Sequence, residues 1–187
     1  MRHGEGVDDI EDRYGGWGDL PLSDKGREQA KLKLKVLKDL KIERVLSSPL
    51  KRAIETARIV AQGLGLKSEK WLYLKERNTY GLMSQEVKAE IKKKYPELHD
   101  AYEKDEYVMG SERYDDFVDR LKVMVQKIQE FPAEVVLALT HGVFLKAFCK
   151  EFLGKKLDKK EDGCLLEVDI EGDTVTFEGA EGLTFKE

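Results

Sequence analysis

The segment EVVLALT, residues 134–140, constrains the fold of this chain more than any other stretch. Its apolar residues run without the polar alternation of a strand that has one wet face. Such a run reads as a strand buried on both faces, the condition of a parallel sheet covered by helices on each side. The neighbouring segments agree. GVFLKAFCKEFLG follows as a helix, and SERYDDFVDRLKVMVQKIQEF precedes it as the clearest helix of the chain, closed by Pro132. Phe117, Leu121, Val125 and Ile128 recur there at helical spacing.

The same alternation continues toward the N-terminus. LSDKGREQAKLKLKVLKDL predicts a helix with Ser23 as N-cap and a stripe of Ala30, Leu34, Leu37 and Leu40. IERVLSSP predicts a short strand stopped by Pro49. LKRAIETARIVAQGLG predicts a helix with Ala53, Ala57 and Val60 on one face and glycines at its end. KWLYLKE reads as a strand, SQEVKAEIKKKYPE as a charged helix ending at Pro96, and CLLEVDI with DTVTFEG as a hairpin. No internal repeat or low-complexity linker interrupts the pattern. The expectation is a single α/β domain over residues 1–187, a three-layer α/β/α arrangement with a mostly parallel central sheet.

Composition narrows the class. A chain of 187 residues with 41% hydrophobic and 37% charged residues is large enough for one real core. Its 33 basic and 37 acidic residues are interspersed and leave a net charge of −4, so no global field recruits nucleic acid or an anionic membrane. No apolar run is long enough to span a bilayer, and nothing resembles a signal peptide, so a cytoplasmic location is expected. Cys149 and Cys164 lack metal-ligand spacing and read as buried or idle thiols. Neither a metal nor another cofactor is expected, and oligomeric state is not legible.

The residues that carry chemistry collect at strand ends. His141 lies where EVVLALT meets a helix, Arg52 in the first turn of the helix after another strand, and Glu76 after KWLYLK. In open α/β sheets ligands bind beyond the carboxyl ends of the strands, and helix N-termini there favour anions. Arg2 and His3, in the opening MRHGEG, complete a set of two guanidinium groups, two imidazoles and a carboxyl. Two guanidinium forks hold a phosphoryl group and offset its charge without a metal. A neutral imidazole can attack phosphorus, and a carboxylic acid can protonate the leaving oxygen and then activate water. The third histidine, His99, reads as an exposed residue after a helix stop, and Lys92 to Lys94 as a solvated helix face.

RHGE, RYGGWGDLPLSDKGREQA, SSPLKRAIETA, LKERNTYG and LTHG, in that order, resemble the histidine phosphatase superfamily, the phosphoglycerate-mutase-like fold, over most of the chain. The resemblance implies roles residue by residue. His3 is the nucleophile, steadied through the Gly4 carbonyl. Arg2, Arg52 and His141 form the phosphate pocket, and Glu76 is the general acid and base. Asp9, Arg13 and Lys88 are expected on the substrate side.

The resemblance further implies a phosphohistidine-forming hydrolase acting on a small phosphomonoester. The mutase branch is the alternative, and Lys88 matches a mutase lysine. Mutases, however, carry serine and asparagine where this chain has Gly6 and Asp9, and SSP ahead of the helix is more typical of the phosphatase branch. A weakly active phospholigand-binding module is the other alternative, against which Glu76 argues, because binding alone needs no acid there. Residues 82–116, with Tyr102, Tyr107, Met109 and Tyr114, are expected to act as a lid that selects the leaving group. In that family the nucleophilic histidine caps a central strand of about five apolar residues. Only Met1 precedes Arg2, so the first strand is expected to be truncated here, with an apolar stretch upstream.

Overall fold

The computed structural model describes residues 1–104 and 106–186. Strand β1 (Arg44–Ser47) lies between β2 (Ser68–Lys70) and β3 (Val136–Leu139), and both pairings are parallel. Because neighbouring side chains of a strand point to opposite faces, Val45 and Leu46 enter different cores. On one face Val45, Leu137 and Leu139 pack against helices α2 (Asp24–Leu37) and α3 (Lys51–Leu64), through Leu37, Ala57 and Val60. On the other, Leu46 packs against α6 (Tyr114–Gln129) and α7 (Gly142–Leu153), through Phe117, Leu121, Phe144 and Phe148. This is the expected three-layer α/β/α arrangement. Leu46 has no accessible surface, so truncating it to alanine would cost about 2–5 kcal/mol.

Local signals set the helix ends. Ser23 accepts from the Gly26 amide and starts α2, and Gly65 stops α3 in the left-handed region, where glycine carries no side-chain penalty. A short helix, α1 (Val7–Ile10), follows the opening motif. Between β2 and α6, helices α4 (Lys88–Lys94) and α5 (Pro96–Glu103) join a separate small cluster of Tyr14, Met83, Ile91 and Val108. No helix is long and apolar enough to cross a membrane.

Residues 1–3 lie beside β3 in strand register. The Thr140 amide donates to Met1 O at 2.9 Å, the His3 amide to Thr140 O at 3.1 Å, and the Met1 amine to Ala138 O at 2.9 Å. On their other side the Arg2 amide donates to Cys164 O at 2.9 Å. Cys164 belongs to β4 (Leu157–Glu171), which forms an antiparallel hairpin with β5 (Thr174–Phe185). On the amino side of Met1 this lane continues as an open groove of about 800 Å³, walled by residues 135–138 and 165–170 and floored by Met124, Phe144 and Phe148. Val135 O and Leu139 O accept bonds from the β1 side, so Val136 and Ala138 turn their peptide groups to the lane.

Four sequence expectations change. KWLYLKE is not one strand. Pairing ends at Lys70, the Trp71 amide donates to Ser47 O, and Leu72–Leu74 form a 3₁₀ turn. The turn buries Leu74 in the core and exposes Leu72, which a straight strand would also place on one face. The charged helix does end just before Pro96, but it is shorter than SQEVKAEIKKKYPE, spanning Lys88–Lys94 with Tyr95 as C-cap, and Pro96 opens a further helix, α5, where its missing N–H costs nothing. His99 is half-buried rather than exposed, with Nδ1 2.7 Å from the Tyr14 hydroxyl. The hairpin is longer than CLLEVDI and DTVTFEG, reaching Leu157 and Phe185. Cys149 and Cys164 are buried free thiols.

Candidate active site

The carboxyl ends of the sheet converge on one pocket. His3 follows the short pairing of Met1 with β3, Ser48 follows β1, and His141 caps α7 just after β3. Arg52 projects from the first turn of α3. The chain passes through the 3₁₀ turn after β2 and delivers Glu76 to the N-terminus of α7. His3, Arg52, Glu76 and His141 are all buried.

The hydrogen bonds fix the state of His3. Its Nδ1 lies 2.6 Å from Gly4 O, an acceptor only, so Nδ1 carries the proton. Nε2 accepts from Arg52 Nε at 3.1 Å, which shows where its lone pair points. Burial, and then the Arg52 and Arg2 guanidinium groups, hold the imidazole well below the ordinary histidine range. His3 is therefore neutral, with a free lone pair once Arg52 turns to another acceptor. The two remaining Arg52 nitrogens donate to Gly18 O at 2.7 Å and Gly16 O at 2.9 Å. Thr56 ties the two motifs together, donating to Arg52 O and accepting from the Gly4 amide. Gly4 and Gly26 let the opening segment lie against α2, since a β-carbon at Gly4 would collide with the Gly26 carbonyl.

His141 stands edge-on to His3, with ring centroids 5.0 Å apart, and its Nε2 is 2.6 Å from Ser48 Oγ. Burial, followed by Arg52 and His3, keeps it neutral too. Arg2 pairs with Asp162 at 2.7 Å. Arg2 Nε and His141 Nδ1 are buried with no hydrogen-bond partner. Such orphans cost about 1–3 kcal/mol each, and the oxygens of a bound tetrahedral anion would satisfy them. Among the described residues no group of three or more His, Cys, Asp or Glu side chains is placed to hold a metal ion.

Glu76 has a different setting. One carboxyl oxygen accepts from the Phe144 amide at 2.8 Å and the Arg77 amide at 2.9 Å, the other from the Val143 amide at 3.0 Å. Burial raises its pKa, against the pull of those amides and of Arg52. Its backbone is clamped as well. Arg120 of α6 donates to the carbonyls of Tyr73, Lys75 and Glu76 and forks onto both oxygens of Glu112. The Trp17 indole donates to Glu76 O at 2.8 Å.

Thus Arg2, His3, Arg52, Glu76 and His141 come together. The polar ends of Asp9, Arg13 and Lys88 are engaged elsewhere: Asp9 accepts from the Gly6 amide, Arg13 bonds Glu11 and Gln85 O, and Lys88 pairs with Asp12 at the surface. The buried carboxyl of that loop is Asp8, whose side chain fills the space left by Gly6 and Gly15, near Arg52. Burial raises its pKa, and its Oδ1 has no partner. Ser48, Arg120 and Asp162 were not singled out by sequence. Ser48, in the SSP of a recognised motif, offered a signal; Asp162, inside an unremarkable hairpin, offered none.

A family model described as "Histidine phosphatase superfamily (branch 1)" matches residues 1–180. The "Uncharacterized phosphatase PhoE" of Bacillus subtilis is 31% identical over 155 residues, covering 82% of this chain and 76% of that protein. A "6-phosphofructo-2-kinase/fructose-2,6-bisphosphatase" of Gallus gallus is 30% identical over 163 residues, 84% of this chain, which spans only 33% of that longer relative. The solved structure titled "Bacillus stearothermophilus YhfR" superimposes with a TM-score of 0.83 at 28% identity, covering 95% of this chain and 92% of that one.

Proposed function

Given that the chain belongs to the histidine phosphatase superfamily, we propose that it hydrolyses a small phosphomonoester through a phosphohistidine on His3. The observation that carries this reading is the state of His3: protonated at Nδ1 toward Gly4 O, unprotonated at Nε2, and neutral among two guanidinium groups. That state leaves the Nε2 lone pair available to attack a phosphoryl group.

In the first step Nε2 attacks phosphorus while Arg52 shifts its donors from His3 to phosphoryl oxygens. Arg2 and neutral His141 donate to other oxygens, and the two guanidinium groups offset the charge spread over them. The phosphorus–oxygen ester bond breaks, and the leaving oxygen takes its proton from Glu76. A raised carboxyl pKa suits this role, since the acid must be protonated near neutrality. In the second step Glu76, now a carboxylate, takes a proton from water as that water attacks phosphorus. The phosphorus–nitrogen bond breaks, and inorganic phosphate leaves with His3 and Glu76 restored. The guanidinium groups supply the positive charge, so no metal is required. Residues 82–116 act as the lid over the leaving group, resting on the small core of Tyr14, Met83, Ile91 and Val108.

Brief exposure to a phosphorus-labelled monoester tests this. Acid-labile, base-stable label should appear on His3 and vanish in His3→Ala, and inorganic phosphate should be released. Label on another residue, or isomerisation of a phosphoglycerate without phosphate release, overturns the reading.

A further inference from the structure

The hairpin of β4 and β5 brings charge to the pocket by an irregularity. Lys160 pairs with Leu183, but the next pair is Leu165 with Glu181. Four residues of β4 thus face one of β5, and the excess loops out over the His3 end of the sheet. Gly163 and Gly182 take positive φ there, +70° and +68°, which other residues adopt at a cost. The loop is stitched down on three points. Asp162 pairs with Arg2, Cys164 O accepts from the Arg2 amide, and the Gly163 amide donates to His3 O.

Lys160 stands at the base of this loop. Its aliphatic stem lies across Gly142, so closely that a β-carbon at Gly142 would collide with Lys160 Cε and sit 3.5 Å from Arg2 Nε. The next two amides after Gly142, those of Val143 and Phe144, are the ones that hold the Glu76 carboxyl. Lys160 therefore lies on the Glu76 side of the pocket. Among the described residues it makes no ion pair, whereas Arg2 beside it pairs with Asp162. Lys160 is exposed as a whole, but partial desolvation of its ammonium, and then Arg2, push it below the usual lysine range, so an anion beside it would be favoured.

We infer that Lys160 is a specificity residue that grips a second anionic group, carboxylate or phosphate, on the alcohol that leaves. The inference rests on the reading of Glu76 as the acid facing the leaving oxygen. It names a substrate class, phosphomonoesters with another negative charge close to the ester oxygen, and one orientation, with that charge on the Gly142 side of the pocket.

The test pairs two esters of similar size, phosphoglycolate and ethyl phosphate, with Lys160→Met and Lys160→Arg. Lys160→Met should lower kcat/KM for phosphoglycolate by roughly 10–100-fold, mainly through KM, the size expected for one hydrogen bond to a charged group. Ethyl phosphate should change by less than about twofold on the same reasoning, and Lys160→Arg should keep most of the preference. Calorimetric binding of phosphoglycolate and of inorganic phosphate gives a readout that needs no turnover. A Lys160-dependent preference for phosphoglycolate without hydrolysis of either ester would sink the hydrolase reading and leave the anion subsite standing. Equal losses on both esters would assign Lys160 to the transferred phosphoryl group, and no loss on either would leave it a solvated side chain; both results overturn the inference.

Discussion

Replacing Glu76 by glutamine changes one atom's chemistry at nearly constant shape. Three backbone amides converge on the carboxyl group, two on one oxygen and one on the other. Glutamine can place its oxygen toward Arg77 and Phe144, but its amino group then meets the Val143 amide, donor against donor. One buried donor is left unsatisfied, at a cost of about 1–3 kcal/mol in stability. The chemical loss is separate. Removing a general acid slows reaction by ~10²–10⁴-fold where the leaving oxygen needs a proton. Ethyl phosphate needs one and p-nitrophenyl phosphate does not, so the ratio of their kcat/KM values should shift by nearly that whole factor. Urea denaturation reads the first effect and steady-state kinetics the second. In the unsubstituted enzyme, burial raises the Glu76 pKa. The rate on ethyl phosphate should therefore fall as pH rises through that pKa, and this limb should vanish in Glu76→Gln. The native state also holds this proton more tightly than the unfolded chain. Glu76 thus subtracts stability as pH climbs above the ordinary carboxyl value of 4.5. Equal losses on the two esters, or a pH limb that survives the substitution, would refute the acid assignment.

Other outcomes follow from the same geometry. His3 and His141 are held neutral by burial and nearby guanidinium groups, so the native state binds fewer protons than the unfolded chain. Their contribution to stability is complete above the unfolded value of 6.5 and is lost as pH falls below it, by up to about 1.4 kcal/mol per pH unit for each ring; imidazole proton resonances that titrate near 6.5 in the folded protein would contradict this. Gly26→Ala would gain roughly 1 kcal/mol in an isolated helix. Here the new methyl collides with the Glu5 backbone, so a net loss of about 1–3 kcal/mol is expected in chemical denaturation, and a neutral result would disprove that contact. Joining a five-residue apolar, β-branched segment ahead of Met1 should fill the lane between β3 and β4, raising both the urea midpoint and the slope m, because more surface is buried on folding. A Gly-Ser segment of equal length is the control, and the same midpoint for both would show that the groove does not accept a strand.

The fold was legible where periodicity was strong. EVVLALT, the helix with Phe117 and Leu121, and the Ser23 cap all lie where pattern and capping rules place them. The pocket residues were legible because Arg52, Glu76 and His141 fall at strand ends, where topology alone brings side chains together. Short apolar segments were harder. In KWLYLKE the alternation fits a strand, yet the chain must leave the sheet to carry Glu76 to α7, and tertiary contacts at Leu74 prevail over local pattern. Which of Asp8 and Asp9 enters the pocket depends on the short helix α1 and on space left by two glycines, which no pattern of charges announces. Asp162 and Lys160 depend on a loop-out within a hairpin, a register feature set by pairing and not by composition.

The Arg120 clamp has a consequence for how substitutions combine. A single guanidinium grips Glu112, at the downstream end of the lid segment, and the carbonyls of residues 73, 75 and 76, which set the height of the acid. If residues 82–116 form the lid and Glu76 the acid, as proposed above, admission of the substrate and delivery of the proton share one mechanical joint. Changes at Glu112 and at Glu76 will not add: a double-mutant cycle between them should show a coupling energy on the order of 0.5–3 kcal/mol, which replacing Arg120 abolishes. Variants of the lid that seem to alter only affinity will then also alter the acid's reach, and selection on one property will drag the other.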